Sequence, residues 1–266
     1  MRGSQGVKTG NLANRIQVRK LTPHVVLDAH CSSATAIDHV FVKLLPEHLF
    51  CVEAVCAWLA QDARLPVPES YTVKVLRQKL PKGCPWQFGQ RTSIDAFGSK
   101  AVENSLSLDR IDSSVVRERV LKWPMLELAA TFDELVANDD RSENNMLMDA
   151  RGDIWLIDHA RCLGGAGQRL FSTEVTPSFR NFFLDQIAQM TFNQRLQRRD
   201  PFIRACTEFV SRVNRVPYAS LGVSDALRLQ IEPYLQQRVT RLAATVLHAL
   251  GLPDLYDAHN ESRPMQ

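Results

Sequence analysis

From Leu49 to Ala60 the chain reads "LFCVEAVCAWLA", apolar on nearly every side of a helix except at Glu53. Pro46 and Glu47 supply a start signal, and the "LPVPES" punctuation that follows supplies a stop. A helix of this kind has no face to give to water, so the rest of the fold must surround it. At 266 residues, 45% hydrophobic and 23% charged, the chain is long enough to do so as one large domain or as two lobes sharing a cleft.

The wrapping material is legible as strands. "RIQVRK", "HVVLDA", "HVFVKLL" and, after the helix, "YTVKVL" are rich in β-branched and aromatic residues and are separated by turn formers. They predict a small antiparallel sheet. Residues 77–114 are rich in Gly, Pro, Ser and charge and read as loops, with one short strand around "WQFGQRTSI". That places a lobe over residues 15–85, a helical lobe over 86–255, and poorly ordered ends at 1–14 and 256–266. In the helical part, Met125, Leu128, Phe132 and Leu135 keep helical spacing. "SFRNFFLDQIAQMTFNQRLQ" carries Phe183, Ile187 and Met190 on one face, and Pro233 is expected to start or kink the last helix.

Glu53 needs a partner if its helix is buried, because an unpaired carboxylate in an apolar setting costs several kcal/mol or takes up a proton. Lys43, at the end of "VFVKLL", is the candidate. The bland alternative is that Lys43 marks a strand edge and Glu53 looks out to water from a narrow polar stripe.

A second concentration of chemistry is "VANDDRSENNMLMDARGDIWLIDHAR", residues 136–161. "MLM" and "IWLI" predict two short strands joined by "DARGD", with Gly152 available for positive φ. Counting back along that hairpin puts Asn145 near Asp158 at its open end, with Asp140 approaching from the loop. An amide oxygen and a carboxylate are hard donors that suit Mg²⁺, which keeps few protein ligands and fills its shell with water and substrate phosphates. Against this, Asp and Asn are also ordinary turn residues, and charged loops are commonly just solvated.

Composition narrows the rest. Thirty-two Lys and Arg against 29 Asp and Glu leave a net charge of +3, too small to make nucleic acid or an anionic membrane the main partner. No apolar run approaches a bilayer span and the start lacks a secretory signal, so a cytoplasmic protein is expected. Six scattered cysteines without C-x-x-C or zinc spacing read as free thiols.

A strand lysine, a helix glutamate, a D-x-x-x-x-N loop and an Asp after a short hairpin follow the order of parts in kinase-like phosphotransferases. "FDELVANDDRSENNMLMDARGDIWLIDHA", with "VFVKLL", "CVEAVCAWLA" and "LPVPES", resembles the HipA-like kinase family, related in fold to protein and phosphatidylinositol kinases. The resemblance implies a two-lobed α+β kinase-like fold with ATP and Mg²⁺ as cofactors. It further implies that Asp140 is the catalytic residue that orients or deprotonates the acceptor hydroxyl, that Asn145 and Asp158 bind metal, and that Lys43, held by Glu53, contacts the α and β phosphates of ATP. The implied acceptor is a protein Ser or Thr hydroxyl. Relatives often work in toxin and antitoxin pairs, so a regulatory protein partner is an expectation from the resemblance alone.

The sequence departs from the family pattern in three places. Ser142 stands where the motif has His, "HA" rather than Phe-Gly follows Asp158, and no Gly-rich segment closely precedes Lys43, since "RGSQG" at residues 2–6 lies far upstream. The missing glycine loop and Ser142 suggest a rival, a nucleotide-binding regulatory pseudokinase; because the acceptor is not legible, a lipid or small-molecule kinase is a second alternative, and a metal-dependent hydrolase using Asp140, Asn145 and Asp158 is a third.

Overall fold

The computed structural model describes residues 7–13, 16–20, 24–33, 36–84, 86, 89–164 and 180–252. The chain divides into two compact units. The first comprises Met1–Leu106, Leu147–Ala160 and Val216–Arg228; the second comprises Ser107–Met146, Arg161–Arg215 and Leu229–Gln266.

The first unit is built on six strands: β1 (Lys8–Leu12), β2 (Gln17–Lys20), β3 (Val25–Ser32), β4 (Ile37–Leu44), β5 (Ser70–Leu76) and β6 (Ser93–Lys100). They run in the order β1-β5-β6-β4-β3-β2, and β1 also pairs with β3, which closes five of them into a ring with β2 as an outer strand. Alternation drives this closure: on β3 and β4 every second residue, Val25, Leu27, Ala29 and Cys31 against Val40, Val42 and Leu44, faces an interior shared with Tyr71, Val73, Val75 and Ala96.

Helix α1 (Glu47–Asp62) begins after Pro46 and ends at Ala63, with Arg64 in the left-handed region at φ 60°. All twelve residues from Leu49 to Ala60 are buried, as an all-round apolar helix requires.

Three expectations need correction. The terminus expected to lack order contains β1, recruited by the backbone hydrogen-bonding edges of β5 and β3 rather than by its own weakly apolar "KTGNL". The β1–β5 pairing is parallel, so the sheet is mixed rather than antiparallel. The strand expected near "WQFGQRTSI" begins only at Ser93 and runs eight residues to Lys100, between β5 and β4, so the sheet continues past residue 85. Its interior positions are small because the ring is tight there: a Cβ on Gly98 would meet Val73 at 2.7 Å and Val40 at 2.9 Å.

A second sheet joins β7 (Leu106–Ser107), β8 (Met146–Met148) and β9 (Ile154–Leu156) in that order. The β8–β9 turn is fastened at Asp149, whose N–H donates to Asp153 O (3.1 Å) and whose O accepts from Gly152 N–H (2.9 Å), with Gly152 at φ 85°. Trp155 donates its indole N–H to Asp149 Oδ2 (3.1 Å), which locks the turn further.

The second unit contains α2 (Ser113–Leu121), α3 (Leu126–Leu135), α4 (Phe182–Ala188), α5 (Phe192–Gln197), α6 (Arg199–Val213) and most of α7 (Asp225–Ala249). The single helix expected over residues 178–197 is two, α4 and α5: Thr191 and Gln194 form a capping box that starts α5 afresh, and Met190 lies in the break. Met125 precedes α3 and is exposed rather than part of its buried face. Phe132 of α3 packs on Phe209 of α6, ring centroids 6.1 Å apart. Asn181 caps α4 and also donates to Ala130 O (2.9 Å), fixing α4 to α3. The last carbonyls of α3 accept from the Arg238 guanidinium, 2.8 Å at Leu135 O, so the helix that leads into the acidic loop is closed at its end. Helix α7 passes through Pro233 without a break.

All six cysteines are free, and every one but Cys84 is buried. Among the described residues no helix is long and apolar enough to cross a membrane. Gly165, Gly167 and the "RGSQG" segment lie outside the described residues.

Candidate active site

In the first unit, strand alternation decides which β4 side chains face the ring and which leave it. Val40, Val42 and Leu44 turn inward, so His39, Phe41 and Lys43 emerge on the opposite face, where Lys43 meets Glu53 of α1. Lys43 Nζ bonds Oε1 of Glu53, the one buried carboxylate on that helix, and also Asp158 Oδ1 at 2.8 Å. Glu53 accepts a further bond at Oε2 from the backbone N–H of His159 (3.1 Å), whose ring is buried with Nδ1 3.9 Å from the same oxygen. The partner that burial demands for Glu53 is therefore Lys43, and Asp158 joins the pair from 115 residues downstream.

Asp158 follows β9 in the left-handed conformation, φ 59°, which Asp tolerates better than most residues and which stores a little strain where a side chain has to be aimed. Burial by itself would drive the Lys43 ammonium to lose its proton, but the facing carboxylates of Glu53 and Asp158 outweigh burial and raise its pKa. Burial pushes Glu53 upward against the pull of Lys43. At Asp158 burial also raises, and is overcome by the charge and hydrogen bond of Lys43, which bring the carboxyl down to about 2. The result is a fixed ammonium between carboxylates, one shielded from solvent and one 39% exposed.

This trio opens on a cavity of about 540 Å³ in the same unit. Val26, Phe41, Ala57, Phe97 and Leu156 give it apolar walls, and Lys43, Glu53 and Asp158 line it beside Lys100 and Glu103. A cleft of that size, largely apolar with a few converging polar groups, is what a small planar ligand with a charged tail requires.

In the second unit, α3 delivers the chain into the loop that carries Asp140 and Asn145. Ala137 takes φ 49°, an unfavourable conformation for alanine, and the adjacent Val136 O accepts from Leu163 N–H at 2.6 Å. Asp133, buried on the last turn of α3, accepts from Asn138 Nδ2 (2.9 Å), Arg141 Nε (2.9 Å) and Arg141 Nη2 (3.1 Å). Arg141 in turn donates Nη1 to Asn145 O (2.8 Å), and Asn138 Oδ1 accepts from Asp140 N–H (3.2 Å). Around this buried scaffold Asn145 Nδ2 reaches Asp140 at its backbone O (2.8 Å) and at Oδ2 (3.1 Å). Asp140 and Asn145 are thus together, Asn145 using the donor end of its amide, so its Oδ1, the end a cation takes, is not committed to that aspartate.

The sequence reading did not single out Asp133, Asn138 or Arg141. A signal existed: Asp133 interrupts the apolar α3 as Glu53 interrupts α1, and the same question about its partner leads to a nearby cation. Among the described residues no group of three or more His, Cys, Asp or Glu gathers as a metal cluster. Each unit, taken by itself, offers one hard oxygen donor of the kind a divalent cation takes: the Asp158 carboxylate, which Lys43 holds ionised, in the first, and the Asn145 amide oxygen in the second.

A mixed α+β chain with a sheet-borne lysine held by a helix glutamate has the makings of a kinase fold, and solved structures agree. The crystal structure of the Helicobacter pylori proinflammatory kinase CtkA is similar with a TM-score of 0.56 at 10% sequence identity, covering 92% of this chain and 98% of that one. At so low an identity the likeness speaks for the fold alone. The profile of the HipA-like kinases matches residues 36–219, well over half of the chain, and the chain belongs to that family. A search of curated proteins finds no relative that matches.

Proposed function

We propose that this chain is an ATP-dependent, Mg²⁺-dependent phosphotransferase that moves the γ-phosphoryl group to a hydroxyl, with a protein Ser or Thr as acceptor. The observation that carries the reading is Lys43, held charged between Glu53 and Asp158 in the lining of a largely apolar cavity.

In this reading the cavity takes the base and sugar of ATP, and Lys43 trades its bond to Asp158 for oxygens of the α and β phosphates while Glu53 keeps it in place. The family resemblance assigns Mg²⁺ to Asn145 and Asp158, and the ion would supply charge neutralisation at the phosphates. Asp140 orients the acceptor hydroxyl and receives its proton. The acceptor oxygen forms its bond to the γ phosphorus, the bond from that phosphorus to the bridging oxygen breaks, and ADP leaves with the electron pair. Phosphoryl transfer asks a protein mainly for positioned charge, which these five residues supply. Family membership supports a kinase; the Ser/Thr acceptor rests on the family resemblance alone.

The test is a crystal structure with a nonhydrolysable ATP analogue and magnesium. The reading requires the triphosphate against Lys43 and the cation between Asn145 and Asp158. A nucleotide seated elsewhere, or a cation bound without nucleotide at Asp140, Asn145 and Asp158, favours the hydrolase instead.

A further inference from the structure

Arg161 stands three residues beyond Asp158 in "DHAR", and the reading above gives it no part. Its Nη1 lies 3.2 Å from Asp140 Oδ1, and its Nε lies 3.9 Å from Asp139 Oδ1, an oxygen shielded from solvent that makes no hydrogen bond. The other carboxylate oxygen of Asp140 is taken by Asn145, so Arg161 and Asn145 flank that carboxylate from two sides. The backbone beneath Arg161 is anchored: Cys162 and Leu163 are wholly buried, and Leu163 N–H is bonded to Val136 O at 2.6 Å. Its side chain is not, with 49% of it exposed, against none for Arg141 on the neighbouring scaffold.

We infer that Arg161 is a further catalytic residue: its guanidinium binds the γ-phosphoryl group in transit and is supplied in cis from the segment after Asp158. This rests on the assignment of Asp140 to the acceptor hydroxyl: a guanidinium beside that carboxylate stands next to the place where the attacked phosphoryl group must come. The chemistry calls for it. Negative charge spreads over the three equatorial oxygens as the bridging bond breaks, and a guanidinium offers five donors in a planar fork to receive them. Ser142 stands where the family motif has His and brings no positive charge to the loop; Arg161 brings one from another segment. Arg161 combines an anchored backbone with a guanidinium half exposed beside Asp140, an arrangement that leaves part of its donor fork open to a phosphoryl group.

The experiment measures binding of Mg·ADP, and of Mg·ADP with aluminium fluoride as a stand-in for the phosphoryl in flight, to the full chain and to Arg161→Ala and Arg161→Lys. The inference predicts ADP affinity within about twofold in all three. It predicts an analogue affinity reduced by about tenfold or more in the Ala variant and partly restored in the Lys variant, in the direction of what cis and trans arginines contribute to kcat in phosphoryl transfer. Analogue affinity unchanged in both variants makes Arg161 a surface ion pair and overturns the inference; tighter analogue binding makes it a latch on Asp140 and overturns it equally. If the wild-type chain binds neither ADP nor the analogue, the proposed function itself fails and takes this inference with it. A wild type that binds ADP but shows no Arg161-dependent preference for the analogue defeats the inference alone.

Discussion

Asp133 and Arg141 meet through two hydrogen bonds, 2.9 Å at Nε and 3.1 Å at Nη2, with both side chains wholly withdrawn from solvent. The pair lies under the loop that carries Asp140 and Asn145, and Arg141 binds the backbone of Asn145 directly. Removing one partner leaves the other charged and buried, which typically costs about 3–5 kcal/mol. Arg141→Ala should therefore lower the unfolding free energy by that order in urea titrations. The double variant Asp133→Leu with Arg141→Met should recover much of the loss while still lacking phosphotransfer, because the scaffold that orients Asn145 is gone.

Gly98 sits inside the strand ring with Val73 and Val40 too close for any side chain. Gly98→Ala forces an extra carbon into a filled interior, a change that costs about 1–3 kcal/mol. Thermal denaturation should show a lower midpoint for this variant. An unchanged midpoint would mean that the ring is looser than its contacts indicate.

Asp158 has a folded-state pKa of about 2 against an ordinary 3.8. A depressed carboxyl contributes stability that is fully present above the unfolded value and is lost as pH falls through the folded one. The stability difference between the wild type and Asp158→Asn should therefore hold steady above pH 3.8 and shrink as the pH drops toward 2. Chemical denaturation across that range reads it directly. A difference that does not change with pH would show that the pairing with Lys43 does not stabilise the fold.

Lys43→Ala removes the ammonium from between Glu53 and Asp158. Hydrogen bonds to charged groups contribute about 1.5–3 kcal/mol, so ATP affinity should fall roughly ten- to a hundredfold. Glu53, buried and without its counter-charge, should take up a proton more readily than in the wild type. Calorimetry in two buffers of different ionisation enthalpy reads both effects. Unchanged affinity would remove Lys43 from the nucleotide site.

Much of this was legible in the sequence because burial makes demands that charge must answer. An all-round apolar helix had to be enclosed, its lone Glu53 had to find a cation, and the 3.6 and 2.0 residue periods located α1, β3, β4, β5 and the β8–β9 hairpin with its Gly152 turn. What escaped was structure made by pairing rather than by pattern. β1 has a single strongly apolar residue and is a strand because two neighbours offer it hydrogen bonds. β6 hides behind Ala96 and Gly98, which are small because the interior there is narrow, not because the segment is a loop. The Asp133–Arg141 scaffold was hidden for a third reason: its members look like ordinary helix and loop charges until the fold removes them from water.

Incubating the purified chain with magnesium and γ-labelled ATP, beside Asp140→Asn and Lys43→Ala controls, tests the central claim most directly. The account predicts label transferred to a Ser or Thr of this protein or of an added protein acceptor, lost in both variants. Label on a lipid or small molecule instead would keep the site and change the acceptor. Nucleotide binding with no transfer to protein, lipid or small-molecule hydroxyls would contradict the account and leave a regulatory pseudokinase.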